Sequence, residues 1–499
     1  MSDEPAPTPT PVPNPLPSHF KNWLSLAGAI TALGSLFAFV FLVAIDTFAH
    51  ERNPYVGILT YIVAPAFLIL GLGLIFVGWW WQRRHVARHP GGEAPPLTID
   101  LSRPRDRQFL VLFGSGAVVF LLMTAFGSYQ TYHFTESVQF CGETCHTVMQ
   151  PEFTAYQDSP HARVSCAECH IGSGASWYVK SKISGAYQVY ATLFDKYERP
   201  IPTPVKNLRP AQETCERCHW PEAFTGNVDR SFVHYLSDKN NTPYTVRLSI
   251  RVGGGQPGEG FFGGIHWHMN VANRVEYYAS DPQRQVIPWI RMTSLTTGEV
   301  RVYRSPDFKG DPPAAAIRVM DCIDCHNRPA HAFKTANQAV EMDMALGKIN
   351  TGLPDIKRTA VAALTGKYTS VNQALEGIAT ALRTKYHEGD ELSPTVAAVQ
   401  RIYQESFFPR MRSDWRTYPN NIGHKDWPGC FRCHDNKHHT ADGQEAVRSS
   451  DCNACHSILA QGSGEDLLKL TPQGTKFKHP GGDYDPDLTC SDCHNGGNQ

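Results

Sequence analysis

The chain has almost no excess of charge of either sign: 46 Lys and Arg stand against 47 Asp and Glu, a formal net charge of -1. Without a large positive field, nothing draws the chain as a whole onto nucleic acid or an anionic surface. It also lacks spare cysteine. All 14 cysteines fall into seven close pairs, each followed at once by histidine, so no thiol is left for a disulfide framework. The N-terminus lacks the compact basic stretch and small-residue cleavage site of a removable secretory signal. The first apolar segment therefore reads as a retained anchor.

Three segments are apolar for long enough to cross a bilayer: 22–45, 56–82 and 109–127. Each reaches the length of roughly 20 residues that a spanning helix needs. Between the second and third lie Arg83, Arg84, Arg88, Arg103, Arg105 and Arg107, which the positive-inside rule places in the cytoplasm. The short link holding Asp46, Glu51 and Arg52 is then outside. The expected topology is three spans with the N-terminus cytoplasmic and everything after Gly127 outside.

The expected fold is a membrane protein of three transmembrane helices carrying a mainly α and irregular domain with a small antiparallel β insertion. Residues 1–20, with prolines from Pro5 to Pro17, read as an extended tail, and 21–128 as the anchor. A lobe at 129–334 holds four of the cysteine pairs, with the β insertion at about 242–306. A helical connector at 335–423 and a lobe at 424–499 with three pairs complete the chain. Within the insertion, 244–252, 274–279 and 286–304 alternate β-branched and aromatic residues. Thr297-Gly298 reads as a hairpin turn between 290–294 and 299–303. In the connector, 335–349, 371–387 and 395–404 carry helical periodicity.

A CxxCH run attaches haem covalently: its two thiols add to the vinyl groups on one edge of the porphyrin, and the adjacent imidazole reaches the iron. Six runs have this form: Cys166/Cys169/His170, Cys215/Cys218/His219, Cys322/Cys325/His326, Cys430/Cys433/His434, Cys452/Cys455/His456 and Cys490/Cys493/His494. The first in the chain, Cys141/Cys145/His146, has three residues between its thiols rather than two. CxxC pairs also build zinc sites, but zinc has no need of histidine at the very next position. Seven haem c groups are the expected cofactors, and they must serve as the core, because roughly 50 residues per haem are too few to surround each with an apolar one.

Seven irons call for sixth ligands. The histidines with haem-side context are His161, His266, His268, His331, His424, His438 and His479, with His133, His387, His234 and His439 in reserve. At the first motif Met149 follows His146 by three residues, so either side chain is a candidate for the iron. Two strong-field imidazoles hold iron closed to substrate, so such haems pass electrons.

From Phe140 through His219, and again at His266–His268, the chain resembles the NapC/NirT/NrfH cytochromes, membrane-anchored quinol dehydrogenases of the bacterial periplasm. Cys145 to Met149 matches the CHxxM first motif of that family. Ser159-Pro160-His161 matches the Ser-x-His element ahead of the second motif at Cys166 to His170. The departures are three spans where the family usually has one, seven haems where it has four or five, and the longer first motif. Three spans with seven haems are closer to the ImcH-type inner-membrane cytochromes of metal-respiring bacteria. The resemblance implies oxidation of membrane quinol, menaquinol as substrate, and delivery of electrons to periplasmic cytochromes or a reductase in anaerobic respiration. It also implies a quinol pocket with a lysine and a carboxylate: Lys180 and Lys182 are candidates for the lysine, and Gln188 stands near where the acid is sought. Two further readings stay open. One is a wire or subunit of a larger membrane complex with no quinol site of its own; the other is a terminal oxyanion reductase, which would typically replace a motif histidine by lysine.

Overall fold

The computed structural model of the chain describes residues 22–48, 63–88, 101–108, 110–112, 114–115, 129, 133–134, 136–144, 146–172, 174–205, 208–220, 224–253, 264–387, 392–448, 452–483, 485 and 488–497. The proline-rich tail, the link at Glu51 and Arg52, most of the third apolar segment and Cys145 lie outside these residues, as do the side chains of His146 and Cys452. Two compact units emerge, one of residues 1–136 with 173–180, the other of 137–172 with 181–499.

In the first unit, α1 (Trp23–Phe48) and α2 (Ala64–Arg88) are each long and apolar enough to cross a membrane. They meet along small residues. Ser25, Gly28, Ala32 and Ser35 are buried, spaced three or four apart, and face Ala64, Phe67, Gly71 and Gly78. A Cβ on Gly28 would stand 2.6 Å from the carbonyl oxygen of Gly71, so only glycine permits this approach. In lipid, where apolar burial gives no net drive between helices, such close backbone packing and hydrogen bonds across the pair take over. Asn22 donates to the carbonyl of Gly78 at 3.2 Å, and Ser35 donates to that of Ala64. The pair falls on two of the three segments expected to span, as helices long and apolar enough for it; the third segment falls mostly on undescribed residues.

Along the chain, α3 (His146–Gln157) and α4 (Ala175–Leu193) come before the first strand. The second unit is mixed α/β, richer in strand than the expected mainly helical domain. A three-stranded sheet runs β1 (Asn227–Tyr235), β2 (Pro243–Arg251) and β7 (His456–Gly462), all antiparallel. A four-stranded sheet has the order β5 (Val300–Arg304), β4 (Trp289–Ser294), β3 (Asn273–Tyr278), β6 (Arg318–Val319). The hairpin turn stands at Thr297-Gly298, with Gly298 at φ 75° and its N–H on the carbonyl of Ser294 at 2.8 Å. β7 belongs to no local hairpin: it starts at the sixth motif histidine and reaches back some 200 residues to pair with β2.

The haem-free stretch between the fourth and fifth motifs builds a conventional core, contrary to the expectation of porphyrin cores throughout. α5 (Ala336–Ala345), α6 (Ile356–Leu364), α7 (Val371–Lys385) and α8 (Leu392–Ser406) bury Val340, Ile356, Leu364, Ile378, Leu382 and Val399 completely. On α7 the buried Ala374, Ile378 and Leu382 recur every four residues, the period of one helix face. Thr335 starts α5 with a reciprocal capping box to Gln338, and Ser370 caps α7 through the N–H of Gln373. Beneath this core the buried Lys357 donates to the buried Glu341 at 2.8 Å, and the half-buried His234 of β1 contacts the same carboxylate at 2.9 Å.

Candidate functional site

The motif thiols sit on short helical turns whose starts are fixed by the sequence around them. Asp321 caps the turn Cys322–Cys325 in a capping box with Asp324, and Thr489 does the same for Cys490–Cys493 with Asp492. In both, the acid lies between the two cysteines and reaches back to the cap backbone, holding the turn that presents both thiols. At the first motif, Phe140–Thr144 winds as a π-helical turn. One extra residue per turn is what a π-turn absorbs, which accounts for three residues between Cys141 and Cys145. Gly142 lies under the ring of Phe153, where a Cβ would come within 2.3 Å.

The capped turns belong to the fourth and seventh motifs; the second and fifth start without a side-chain cap, and Cys218 in the third motif and Cys455 in the sixth are held in other ways. The third motif straddles the end of a short helix, Ala211–Cys215, so Cys218 lies beyond it on a tighter turn, its N–H on the Cys215 carbonyl at 3.1 Å. That places the Cys218 side chain at the surface, near Cys169. Cys455 is half-buried and closes the turn Cys452–Cys455, where the chain passes at once into β7 at His456, so strand pairing with β2 fixes its position. Neither forms a disulfide.

Six motif histidines each face a second histidine. Ring centroids are 6.1 Å apart for His219 and His161, 6.2 Å for His170 and His331, 6.2 Å for His326 and His266, 5.9 Å for His434 and His268, 6.2 Å for His456 and His424, and 6.0 Å for His494 and His479. Two metal–nitrogen bonds of about 2 Å each plus half a ring on either side span about 6 Å. The residues present therefore fit an iron porphyrin between each pair, fastened on one edge by the neighbouring thiols.

The hydrogen bonds agree with that use. His161 Nδ1 lies 3.1 Å from the Pro329 carbonyl, His331 Nδ1 3.0 Å from that of Glu152, His266 Nδ1 2.7 Å from Val252 and His268 Nδ1 2.9 Å from Ile265. An Nδ1–H donated to a carbonyl fixes the ring and leaves Nε2 for metal. His479 differs, its Nδ1 accepting from the N–H of Gly481 at 3.2 Å. Burial pushes the imidazoles of His170, His268, His326, His331, His424, His434 and His456 below their ordinary value. That favours the neutral form, the one that coordinates.

His438 stands apart from its six companions in the expected ligand set. It is buried, with Nδ1 2.8 Å from Asp435 and Nε2 2.6 Å from the Ile287 carbonyl. Burial works to lower its pKa, but these hydrogen bonds raise it, as befits an imidazolium donating from both nitrogens with no lone pair for a metal. The reserves are engaged or remote: His234 contacts Glu341, the backbone of His439 pairs with Arg304, His387 is exposed, and His133 meets Tyr129 edge-on. Met149 is half-buried on α3. On α4, Lys180 lies over Trp177 at 4.5 Å, and Gln188 donates to Ser184 at 3.3 Å.

Two positioning residues escaped the sequence. Glu152 accepts from Arg328 at 3.0 Å, and Arg328 donates to the His331 carbonyl at 2.9 Å while covering the rings of Phe333 and Tyr418. Only the place of Arg328 between His326 and His331 hinted at this. Successive motifs also lie side by side along most of the chain. The Cys166 thiol hydrogen-bonds Cys141, Arg217 pairs with Glu168 at 2.9 Å, and Cys215 hydrogen-bonds Cys322. Cys325 lies near Cys430, and His424 Nδ1 stands 3.9 Å from Cys490 Sγ.

Paired thiols, trailing imidazoles and a second rank of histidines at metal-bridging distance define a multihaem c-type cytochrome, and the chain belongs to the NapC/NirT cytochrome c family. Its residues 103–219 match the N-terminal region of that family. Over 494 residues, 95% of each chain, it is 41% identical to the cytochrome c-type protein ImcH of Geobacter sulfurreducens. No solved structure matches it. Membership carries a role in electron transfer, and members of the family act as quinol dehydrogenases.

Proposed function

We propose that this chain carries seven haem c groups and takes electrons from membrane quinol, menaquinol in the expected setting, for a periplasmic cytochrome or reductase. The observation that carries the reading is the set of six opposed imidazole pairs, each beside its own thiols. On this reading His331, His161, His266, His268, His424 and His479 are the sixth ligands of motifs two to seven in that order, and His438 leaves the set. Haem held between two imidazoles supplies one-electron transfer and no open coordination position. The side-by-side order of the motifs supports a path from the first toward the C-terminal ones.

At the first motif, where the His146 side chain lies outside the described residues, Met149 and His146 remain the candidate axial ligands, and the quinol site is read beside them. A quinol sheds two protons with its two electrons, so polar side chains must stand at its hydroxyls. Lys180 and Lys182 take that place here. Gln188 offers an amide that orients a hydroxyl but accepts no proton.

Replacing Met149 or Lys182 by alanine is expected to slow reduction by menaquinol in detergent at least tenfold while dithionite still reduces the protein fully. Equal slowing by both donors overturns the site. If the purified chain oxidises no quinol at all, it serves as a wire within a larger membrane complex.

A further inference from the structure

Helix α4 is amphipathic in the wrong sense for a water-exposed surface. Ile183, Ala186, Tyr187, Tyr190, Leu193 and the following Phe194 fall at intervals of three and four, on one stripe about 16 Å long at 1.5 Å per residue. All six are exposed, Ile183 by 69% and Leu193 by 75%. Their rings touch one another, Tyr187 with Tyr190 at 6.3 Å and Tyr190 with Phe194 at 5.0 Å. The opposite face carries Ser181, Ser184, Gly185 and Thr192, all partly covered, and the buried residue among those described on the helix is the small Ala191.

A surface helix of a globular domain turns its apolar stripe inward, and an exposed patch of this kind marks a site of association. Three features select lipid as the occupant. Lys180 and Lys182 flank the stripe on either side, where their charged ends reach anionic headgroups. Its tyrosines are the residues that settle at a membrane–water boundary. The polar face satisfies itself, Gln188 donating to Ser184 at 3.3 Å and Thr192 donating to the Gln188 carbonyl at 2.8 Å. The helix holds no cysteine or histidine to fasten a porphyrin over the stripe, and the same chain carries two helices fit to cross a bilayer.

We infer that α4 lies in the plane of the outer membrane–water boundary, its stripe sunk to the acyl chains and its lysines at headgroup level. The inference stands apart from the quinol reading, because it concerns lipid contact with no quinol present.

The test uses full-length holoprotein in nanodiscs of phosphatidylcholine and phosphatidylglycerol, free of quinone, with photoreactive benzoylphenylalanine in place of Tyr187 and, in a second variant, of Leu193. Irradiation and peptide mass spectrometry are expected to find phospholipid adducts on at least half of the cross-linked α4 peptide in both. The same probe at Thr192 is expected to give adducts within the chain. Intrachain or haem adducts at Tyr187 and Leu193, or none, overturn the inference, as do equal lipid adducts at Thr192. Loss of quinol oxidation in a lysine variant that keeps its lipid adducts would instead bear on the quinol site.

Discussion

His331 shows how much one side chain holds. It faces His170 at 6.2 Å, and its Nδ1 is pinned on the Glu152 carbonyl while Arg328 grips its own. His331→Ala is expected to leave one iron of the seven five-coordinate, seen as a new high-spin signal in electron paramagnetic resonance and an added carbon monoxide band on reduction. A spectrum unchanged from wild type would remove His331 from the ligand set. Away from the haem sites, Glu341 is the residue with most at stake. Burial alone would raise its carboxyl, but the hydrogen bond with His234, with Lys425 and Lys357 close by, holds it at about 2. A carboxyl depressed from the ordinary value of about 4.3 contributes stability that is complete above that pH and lost as pH falls toward 2. Glu341→Ala strands the buried Lys357 and is expected to cost about 3–5 kcal/mol, measured by chemical unfolding at pH 7. The variant should also lose the acid-dependent fall in stability between about pH 4 and 2 that this residue gives the wild type.

Elements were legible where one face repeats and illegible where contacts come from afar. The connector helices were readable because Ala374, Ile378 and Leu382 mark one side at a fixed interval, and the β3 to β5 meander because Thr297-Gly298 punctuates alternating residues. β1 passed unseen: seven of its nine residues are exposed, so no buried face imposes alternation on its sequence. β7 was hidden by its partner's distance along the chain, since nothing near His456 signals pairing with β2. The site divides the same way. Each motif histidine follows its cysteines, but His161 precedes the second motif and faces the third, a crossing set by folding alone. The π-turn at the first motif offers an element-scale test. Gly142→Ala drives a methyl into Phe153 and is expected to cost about 1–3 kcal/mol of local packing. The expected readout is a fraction of molecules lighter by one haem in the intact mass, while the other six attachments stay complete.

For the molecule as a whole, charge neutrality was uninformative about partners and cysteine count was the informative quantity. Intact mass of the native protein is expected to exceed the polypeptide by seven haems, and Cys490→Ser with Cys493→Ser to lower that by one. A mass showing no porphyrin would leave the opposed histidines without a purpose. His266 and His268 sit two residues apart on the single turn Ile265–Met269, yet one faces the fourth motif and the other the fifth. On the proposed ligand set that turn works as a rigid yoke: any tilt of its backbone would re-aim both imidazoles, and with them the ligation at the fourth and fifth motifs, at once. On that reading a change tuning the affinity for electrons at the fourth motif would shift the fifth as well, so the two would change as a couple.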